Sequence, residues 1–109
     1  MKMRGEESDH ATLLHLDGVL RDGDDLISTI GRLMDEDHRP IVLDLSRVEM
    51  ISSAGLGALV QLNARANTQG TRIVLASPSP FVQGVLQTTK LDRFFDVHKS
   101  LEAALAAVK

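Results

Sequence analysis

The 109-residue chain contains no cysteine, no tryptophan and no tyrosine, and its only aromatic residues are three phenylalanines. Without cysteine the chain can form no disulfide, no thiolate metal site and no thiol nucleophile. The four histidines lack the spacing of metal ligands, so we expect neither a metal nor a cofactor. The three phenylalanines, Phe81, Phe94 and Phe95, are expected in the hydrophobic core.

Long apolar runs and basic clusters are also missing. The longest apolar runs are a handful of residues, whereas a membrane-spanning helix needs about 20. Residues 1–7 lack the apolar core of a signal peptide, so we expect a cytoplasmic protein without direct membrane insertion. The net charge of -3 and the absence of a basic stripe argue against nucleic-acid binding. No repeat or linker divides the chain, and we expect residues 1–109 to form one domain.

Residues 41–57 are the most informative segment of the chain. An apolar run from Ile41 ends in a loop, which leads to Ser52, Ser53 and a pair of glycines that open an amphipathic stretch. This pattern predicts a buried strand that delivers the N-terminus of a helix to the surface, with hydroxyl groups at its tip. The first N–H groups of a helix are unpaired and carry partial positive charge, which suits an anion or a phosphoserine.

The rest of the chain alternates between strand and helix patterns. Asp17-Gly18 is a turn signal after the strand at 11–16, and Ser79 and Ser100 are good N-cap residues. The pattern predicts an α/β fold with a mixed, mostly parallel sheet of four to five strands, an antiparallel edge and about four helices. The expected strands are 2–7, 11–16, 41–45, 72–75 and 94–97, and the expected helices begin at Asp24, Ala54 and Pro80 and after Ser100.

Residues 41–57 closely resemble the corresponding segment of the anti-sigma-factor antagonists that are built on the STAS domain. In that family a strand ending in Asp-Leu-Ser leads to Asp-Ser-(Ser/Thr)-Gly-Leu-Gly, and a partner kinase phosphorylates the serine after the second aspartate. The matching residues here are Asp44-Leu45-Ser46 and then 52–57. The resemblance extends over nearly the whole chain, from Gly18 to the segment that begins at Ser100.

Three positions depart from the family pattern. Ser52 replaces the aspartate, Ala54 replaces the second hydroxyl residue, and Arg21, followed by Asp22, lies where we align an acidic residue. The resemblance implies that Ser53 is the phosphorylation site, with Ser52 as a substitute. It also implies that the unphosphorylated chain binds an anti-sigma factor with serine-kinase activity and so frees a sigma factor, and that a serine phosphatase resets the switch.

The expected partner-binding surface surrounds the serine pair. In this interpretation the chain is the substrate of the kinase and not an enzyme, so it has no catalytic residues. The candidate partner-binding residues are Gly18, Arg21, Asp22, Ser52, Ser53, Ala54, Gly55, Gly57 and Gln61.

Other interpretations stay open at this point. The serines could simply cap a helix, and STAS-like domains also serve as unphosphorylated subunits of lipid-transport assemblies that contain an ATPase. A hydrolase with Ser53 and His98 is disfavoured, because Ile51 replaces the first glycine of a nucleophile elbow. A dinucleotide site is disfavoured too, since Val60 occupies the position of the third glycine.

Overall fold

The computed structural model describes residues 2–109, which form one mixed sheet with helices on both faces. The sheet has the strand order β1-β2-β3-β4-β5, in which β1 is antiparallel to β2 and the other neighbours are parallel. This arrangement confirms the predicted fold class and the antiparallel edge. The strands are β1 (Lys2–Glu7), β2 (Thr12–Leu20), β3 (Ile41–Ile51), β4 (Ile73–Ala76) and β5 (Asp96–His98).

Four helices connect or follow the strands. Each parallel crossover steps to the next strand in the same direction, so right-handed connections place the first three helices on one face. The fourth helix follows β5 and covers part of the opposite face, where Ala104 and Val108 are buried. The helices are α1 (Asp24–Asp37), α2 (Ser53–Thr68), α3 (Pro80–Thr88) and α4 (Leu101–Ala107).

The core is two-sided because the side chains of a strand alternate between its faces. Leu43 and Leu45 of β3 pack into the larger cluster beneath α1, α2 and α3, whereas Val42 packs beneath α4. Leu59 and Leu62 of α2 are buried in the larger cluster, as the amphipathic pattern predicts. The orientation of α2 is therefore fixed by apolar packing on the sheet.

The helix caps agree with the sequence. The Ser79 hydroxyl accepts a hydrogen bond from the Val82 N–H, and the Ser100 hydroxyl accepts one from the Ala103 N–H. Helix α1 begins at Asp24 as predicted, after Gly23 in the left-handed region with φ of 79°.

The predicted ends of two strands, β2 and β3, are wrong. Asp17-Gly18 is not a turn, because β2 continues through both residues to Leu20 with shifts in register beside β3. Strand β3 likewise continues beyond Leu45 to Ile51, where a loop was expected. Pairing between the two strands outweighs the local turn signal, and Gly18 accommodates the irregularity with φ of 107°.

The last predicted strand and two of the aromatic residues also need correction. Phe94 and Phe95 precede β5, which contains only three residues. Phe95 is buried as expected, but Phe94 and Phe81 are 44% and 47% exposed. The rings of Phe94 and Phe95 pack edge to face, with centroids 5.1 Å apart.

Candidate functional site at the start of helix α2

The candidate site lies where β3 ends and α2 begins. Ile51, the last residue of β3, pairs with Leu20 at the end of β2, so the two strands finish side by side. Ser52 follows in an extended conformation, and α2 starts at Ser53. The end of the sheet thus brings the β2–α1 loop, residues 21–23, next to the first turn of α2.

Ser52 is the N-cap of α2, and its hydroxyl makes two hydrogen bonds. It accepts from the Gly55 N–H at 3.1 Å and donates to the carbonyl oxygen of Arg21. The backbone N–H of Ser52 also donates to the Leu20 carbonyl at 2.9 Å. Serine and aspartate are both favoured N-cap residues, so the departure from the family aspartate keeps the helix capped.

Ser53 has a different environment from its neighbour. It is the first residue of α2 and is exposed, and within residues 2–109 its hydroxyl has no hydrogen-bond partner. The first N–H groups of α2 have no acceptors within the helix, and the helix dipole adds partial positive charge at the same end. An added phosphate could accept hydrogen bonds there without disturbing a buried group.

Two glycines allow the β2–α1 loop to contact α2 closely. A Cβ atom at Gly55 would lie 2.7 Å from the carbonyl oxygen of Leu20, and one at Gly23 would lie 2.4 Å from the Cβ of Ala58. Both distances are too short for a side chain. Gly55 is buried, so it holds the site together and does not itself form part of the exposed surface.

The outer side of the site is exposed over two turns of α2. Ser53, Gly57 and Gln61 are exposed and lie four residues apart, which places them on one side of the helix. Ala54 is exposed beside them, and a Cβ added at Gly57 would have no atom within 4 Å. The surface is therefore accessible along its length.

The β2–α1 loop extends this surface. Arg21 and Asp22 are exposed, and the Asp22 carboxylate accepts a hydrogen bond from the Asp24 N–H at 3.1 Å. Gly18 lies farther back, within β2 and beside Val48, and is half-buried. Of the residues expected at the site, Gly18 and Gly55 are thus the two that do not lie on the outer surface.

Sequence analysis missed two contributors to the site and the exposure of a residue close to it in the chain. Leu20 and Gly23 hold the loop against α2, and Met50 is 52% exposed two residues before Ser52. The Asp22-Gly23-Asp24 sequence is a turn signal that could have located Gly23. No local signal distinguishes Met50 from a core residue, since it is an apolar residue within β3 and pairs with Val19.

The Asp44-Leu45-Ser46 part of the motif lies away from this surface. Asp44 precedes Ile51 by seven residues of strand, which corresponds to roughly 23 Å. The Asp44 carboxylate lies 2.6 Å from His15 Nδ1 and accepts hydrogen bonds from the backbone N–H and hydroxyl of Ser46. Burial raises the pKa of Asp44, but these hydrogen bonds outweigh it, so the net pKa is lower than its usual 3.8.

The fold does not assemble the hydrolase that the sequence left open. His98 pairs with Ala76, and Ala76 pairs with Asp44, so His98 lies level with Asp44 and far from Ser53. Gly55 and Gly57 are inside α2 rather than in a loop before it, which also removes the dinucleotide interpretation. Among residues 2–109 no group of three or more histidine, aspartate or glutamate side chains could hold a metal ion.

The geometry defines an α/β domain whose candidate site is an exposed helix N-terminus beside a closely packed loop. Residues 4–104 match the STAS domain family. The chain belongs to this family. None of the helices within residues 2–109 has the length and apolar composition needed to cross a bilayer.

The similar proteins include anti-sigma factor antagonists. BtrV of Bordetella bronchiseptica, which is named as one, is 31% identical over 111 residues, covering 100% of this chain and 96% of BtrV. The crystal structure of an anti-sigma factor antagonist from Mycobacterium paratuberculosis has a TM-score of 0.87 and 25% identity, and the match covers 98% of this chain and 92% of that one.

A third comparison concerns the fold alone. The structure of the Bacillus cell-fate determinant SpoIIAA in its phosphorylated form has a TM-score of 0.75 at 19% identity, covering 99% of this chain and 100% of SpoIIAA. The STAS arrangement of one sheet and four helices is thus shared at low sequence identity.

Proposed function

We propose that this chain is an anti-sigma-factor antagonist whose unphosphorylated form binds an anti-sigma factor with serine-kinase activity and so releases a sigma factor. Phosphorylation of Ser53 ends this binding, and a serine phosphatase restores it. The exposed hydroxyl of Ser53 at the start of α2, which has no hydrogen-bond partner in the described part of the chain, is the observation that carries the proposal. Membership of the STAS family and the similarity to BtrV and to the mycobacterial antagonist support it.

The contrast between the two serines supports Ser53 as the modified residue. A kinase must reach a hydroxyl that is free to attack its nucleotide. The Ser52 hydroxyl is bonded to Gly55 and Arg21 and its residue is half-exposed, whereas Ser53 is exposed and its hydroxyl has no partner among residues 2–109. Modification of Ser52 would remove the hydroxyl hydrogen that bonds to the Arg21 carbonyl oxygen, but modification of Ser53 leaves both Ser52 bonds in place.

The surface around Ser53 fits a partner protein. Gly57 leaves room for close approach of another backbone, and Met50, three residues before Ser53 in the chain, is an exposed and adaptable apolar side chain. Arg21, Asp22 and Gln61 add polar groups at the edges. A phosphate adds about -1.5 to -2 charge, which a contact formed around a neutral serine cannot solvate. Because the proposed partner acts on sigma factors, the proposed function implies that the chain is cytoplasmic.

A capture experiment tests this proposal. The Ser53→Ala and Ser53→Asp variants, immobilised separately, are exposed to lysate of the cells that produce the chain, and retained proteins are identified by mass spectrometry. We expect a protein with a serine-kinase domain of the anti-sigma type to be enriched at least tenfold on Ser53→Ala. Ser28→Asp, which changes an exposed serine of α1, is the matched control and should retain that protein.

Two outcomes would contradict the proposal. Equal retention of the kinase-domain protein on Ser53→Ala and Ser53→Asp would show that binding does not depend on the charge at residue 53. Retention of transporter subunits in place of a kinase would favour the alternative of an unphosphorylated STAS subunit.

A further inference from the structure

Ser52 does something that the aspartate of the family pattern cannot do. An ionised carboxylate only accepts hydrogen bonds, whereas a hydroxyl both donates and accepts. The Ser52 hydroxyl accepts from the Gly55 N–H, as any N-cap does, and also donates to the carbonyl oxygen of Arg21. An aspartate there would keep the cap but would bring a carboxylate towards the Arg21 carbonyl oxygen.

The bond to Arg21 holds the middle of a loop whose two ends are already fixed. At one end Leu20 accepts from the Ser52 N–H and packs against Gly55, and at the other Gly23 packs against Ala58. The exposed residues between these contacts are Arg21 and Asp22. The Asp22 carboxylate bonds to the Asp24 N–H and so belongs to the start of α1. The Ser52 hydroxyl is therefore the side-chain bond that joins this exposed part of the loop to α2.

We propose that Ser52 is a positioning residue, which fixes the Arg21–Asp22 segment against α2 so that the loop and the Ser53 surface form one preorganised binding face. The part of this inference that concerns a partner rests on the proposed function, whereas the part that concerns the loop does not. Ordering a loop at the moment of binding costs conformational entropy, which reduces affinity. A loop that is held in advance avoids that loss.

Nuclear magnetic resonance of the free chain tests the loop directly. Backbone order parameters and the carbonyl carbon shift of Arg21 are measured in the native chain and in Ser52→Thr, Ser52→Asp and Ser52→Ala. We expect Arg21 and Asp22 to have order parameters of about 0.85 in the native chain and in Ser52→Thr, and to fall towards about 0.6 in the other two variants. The Arg21 carbonyl shift should change in the same two variants only.

Two comparisons distinguish positioning from general loss of structure. Ser52→Asp keeps an N-cap acceptor, so the first turn of α2 should stay ordered while the loop loosens. Ser100→Ala removes the N-cap hydroxyl of α4 and should leave Arg21 unchanged. Native order parameters and an unchanged Arg21 carbonyl shift in Ser52→Asp would overturn the inference.

The consequence for binding is measured by titration calorimetry with the kinase-domain protein retained on Ser53→Ala. We expect Ser52→Ala and Ser52→Asp to weaken binding five- to twentyfold, with Ser52→Thr within twofold of the native chain. A loosened loop with unchanged affinity in Ser52→Ala would overturn the partner part of the inference. If no such protein is captured, the proposed function fails, while the resonance measurement still decides the role of Ser52.

Discussion

The two segments of the family motif, 44–46 and 52–57, lie in different parts of the fold and have different roles. Asp44 and Ser46 bond to each other, and Asp44 also bonds to His15 across the sheet. In the second segment, Ser53 and Gly57 face outward with no side-chain partner within residues 2–109. The comparison teaches that the first segment stabilises the sheet, whereas the second presents a surface. Substitutions should therefore change stability in the first segment and at the buried Gly55, and binding at the outward-facing residues of the second segment.

The largest expected effect on stability is at Gly55, the inward-facing residue of the second segment. An alanine Cβ would lie 2.7 Å from the Leu20 carbonyl oxygen and 2.8 Å from its side chain, so α2 or β2 must move. We expect Gly55→Ala to lower the free energy of unfolding by about 1–3 kcal/mol, measured by urea denaturation.

Gly57→Ala is the matched control for Gly55→Ala. It is two residues along the same helix, and its Cβ would enter open space. Because alanine has the higher helix propensity, we expect Gly57→Ala to raise the free energy of unfolding by up to about 1 kcal/mol. Equal losses at the two positions would contradict the distinction between the inner and outer sides of α2.

The contribution of the first segment to stability can be tested by replacing Asp44 and measuring the free energy of unfolding as a function of pH. Replacing Asp44 with asparagine weakens the bonds to His15 and Ser46, and we expect a loss of about 1–2 kcal/mol at pH 7. The folded-state pKa of Asp44 is lowered, so its ionised form contributes stability above the unfolded value of about 3.9. That contribution disappears as the pH falls through the lower, folded-state pKa.

The measurement is the difference in unfolding free energy between the native chain and Asp44→Asn from pH 7 to pH 3. The difference should shrink below about pH 4, where the carboxylate becomes protonated. Asp92→Asn, which changes an exposed carboxylate, is the control and should show almost no difference at any pH. A difference for Asp44→Asn that grows below about pH 4 would have the wrong sign for this account.

The smallest expected effect on stability is at Ser53. An acidic residue in the first turn of a helix interacts favourably with the helix dipole, so Ser53→Asp should raise the free energy of unfolding by about 0.3–1 kcal/mol. The same variant should lose its partner, as proposed above. Thermal and urea denaturation measure the first effect, and a marked loss of stability would show that residue 53 contributes to the fold rather than to a surface.

Sequence patterns located the elements well but not their ends. The Ile41 strand was recognisable from its apolar run, yet its continuation through Ser46 to Ile51 depends on pairing with β2, which is a non-local interaction. The same pairing keeps Asp17-Gly18 within β2, although the two residues form a local turn signal. Phe81 and Phe94 are large apolar residues of the kind found in cores. Their exposure depends on the tertiary arrangement of α3 and of the segment before β5, which local sequence does not encode.

The candidate site shows the same division. The N-cap at Ser52 and the exposed start of α2 follow from local residue preferences, and so they could be read from the sequence. The contact of Gly23 with Ala58 and the bond from Ser52 to Arg21 join segments about thirty residues apart. No local pattern encodes such contacts, which is why the role of the loop emerges only from the fold.

The most direct test of the central claim is peptide mass spectrometry of the chain isolated from its own cells. Trypsin should release residues 48–65, in which Ser52 and Ser53 are the only hydroxyl-bearing residues, so fragment ions can assign a phosphate to one of them. We predict a single phosphate on Ser53 in a fraction of the molecules and none on this peptide in Ser53→Ala. An unmodified peptide under every growth condition, or a phosphate on Ser52 alone, would contradict the account.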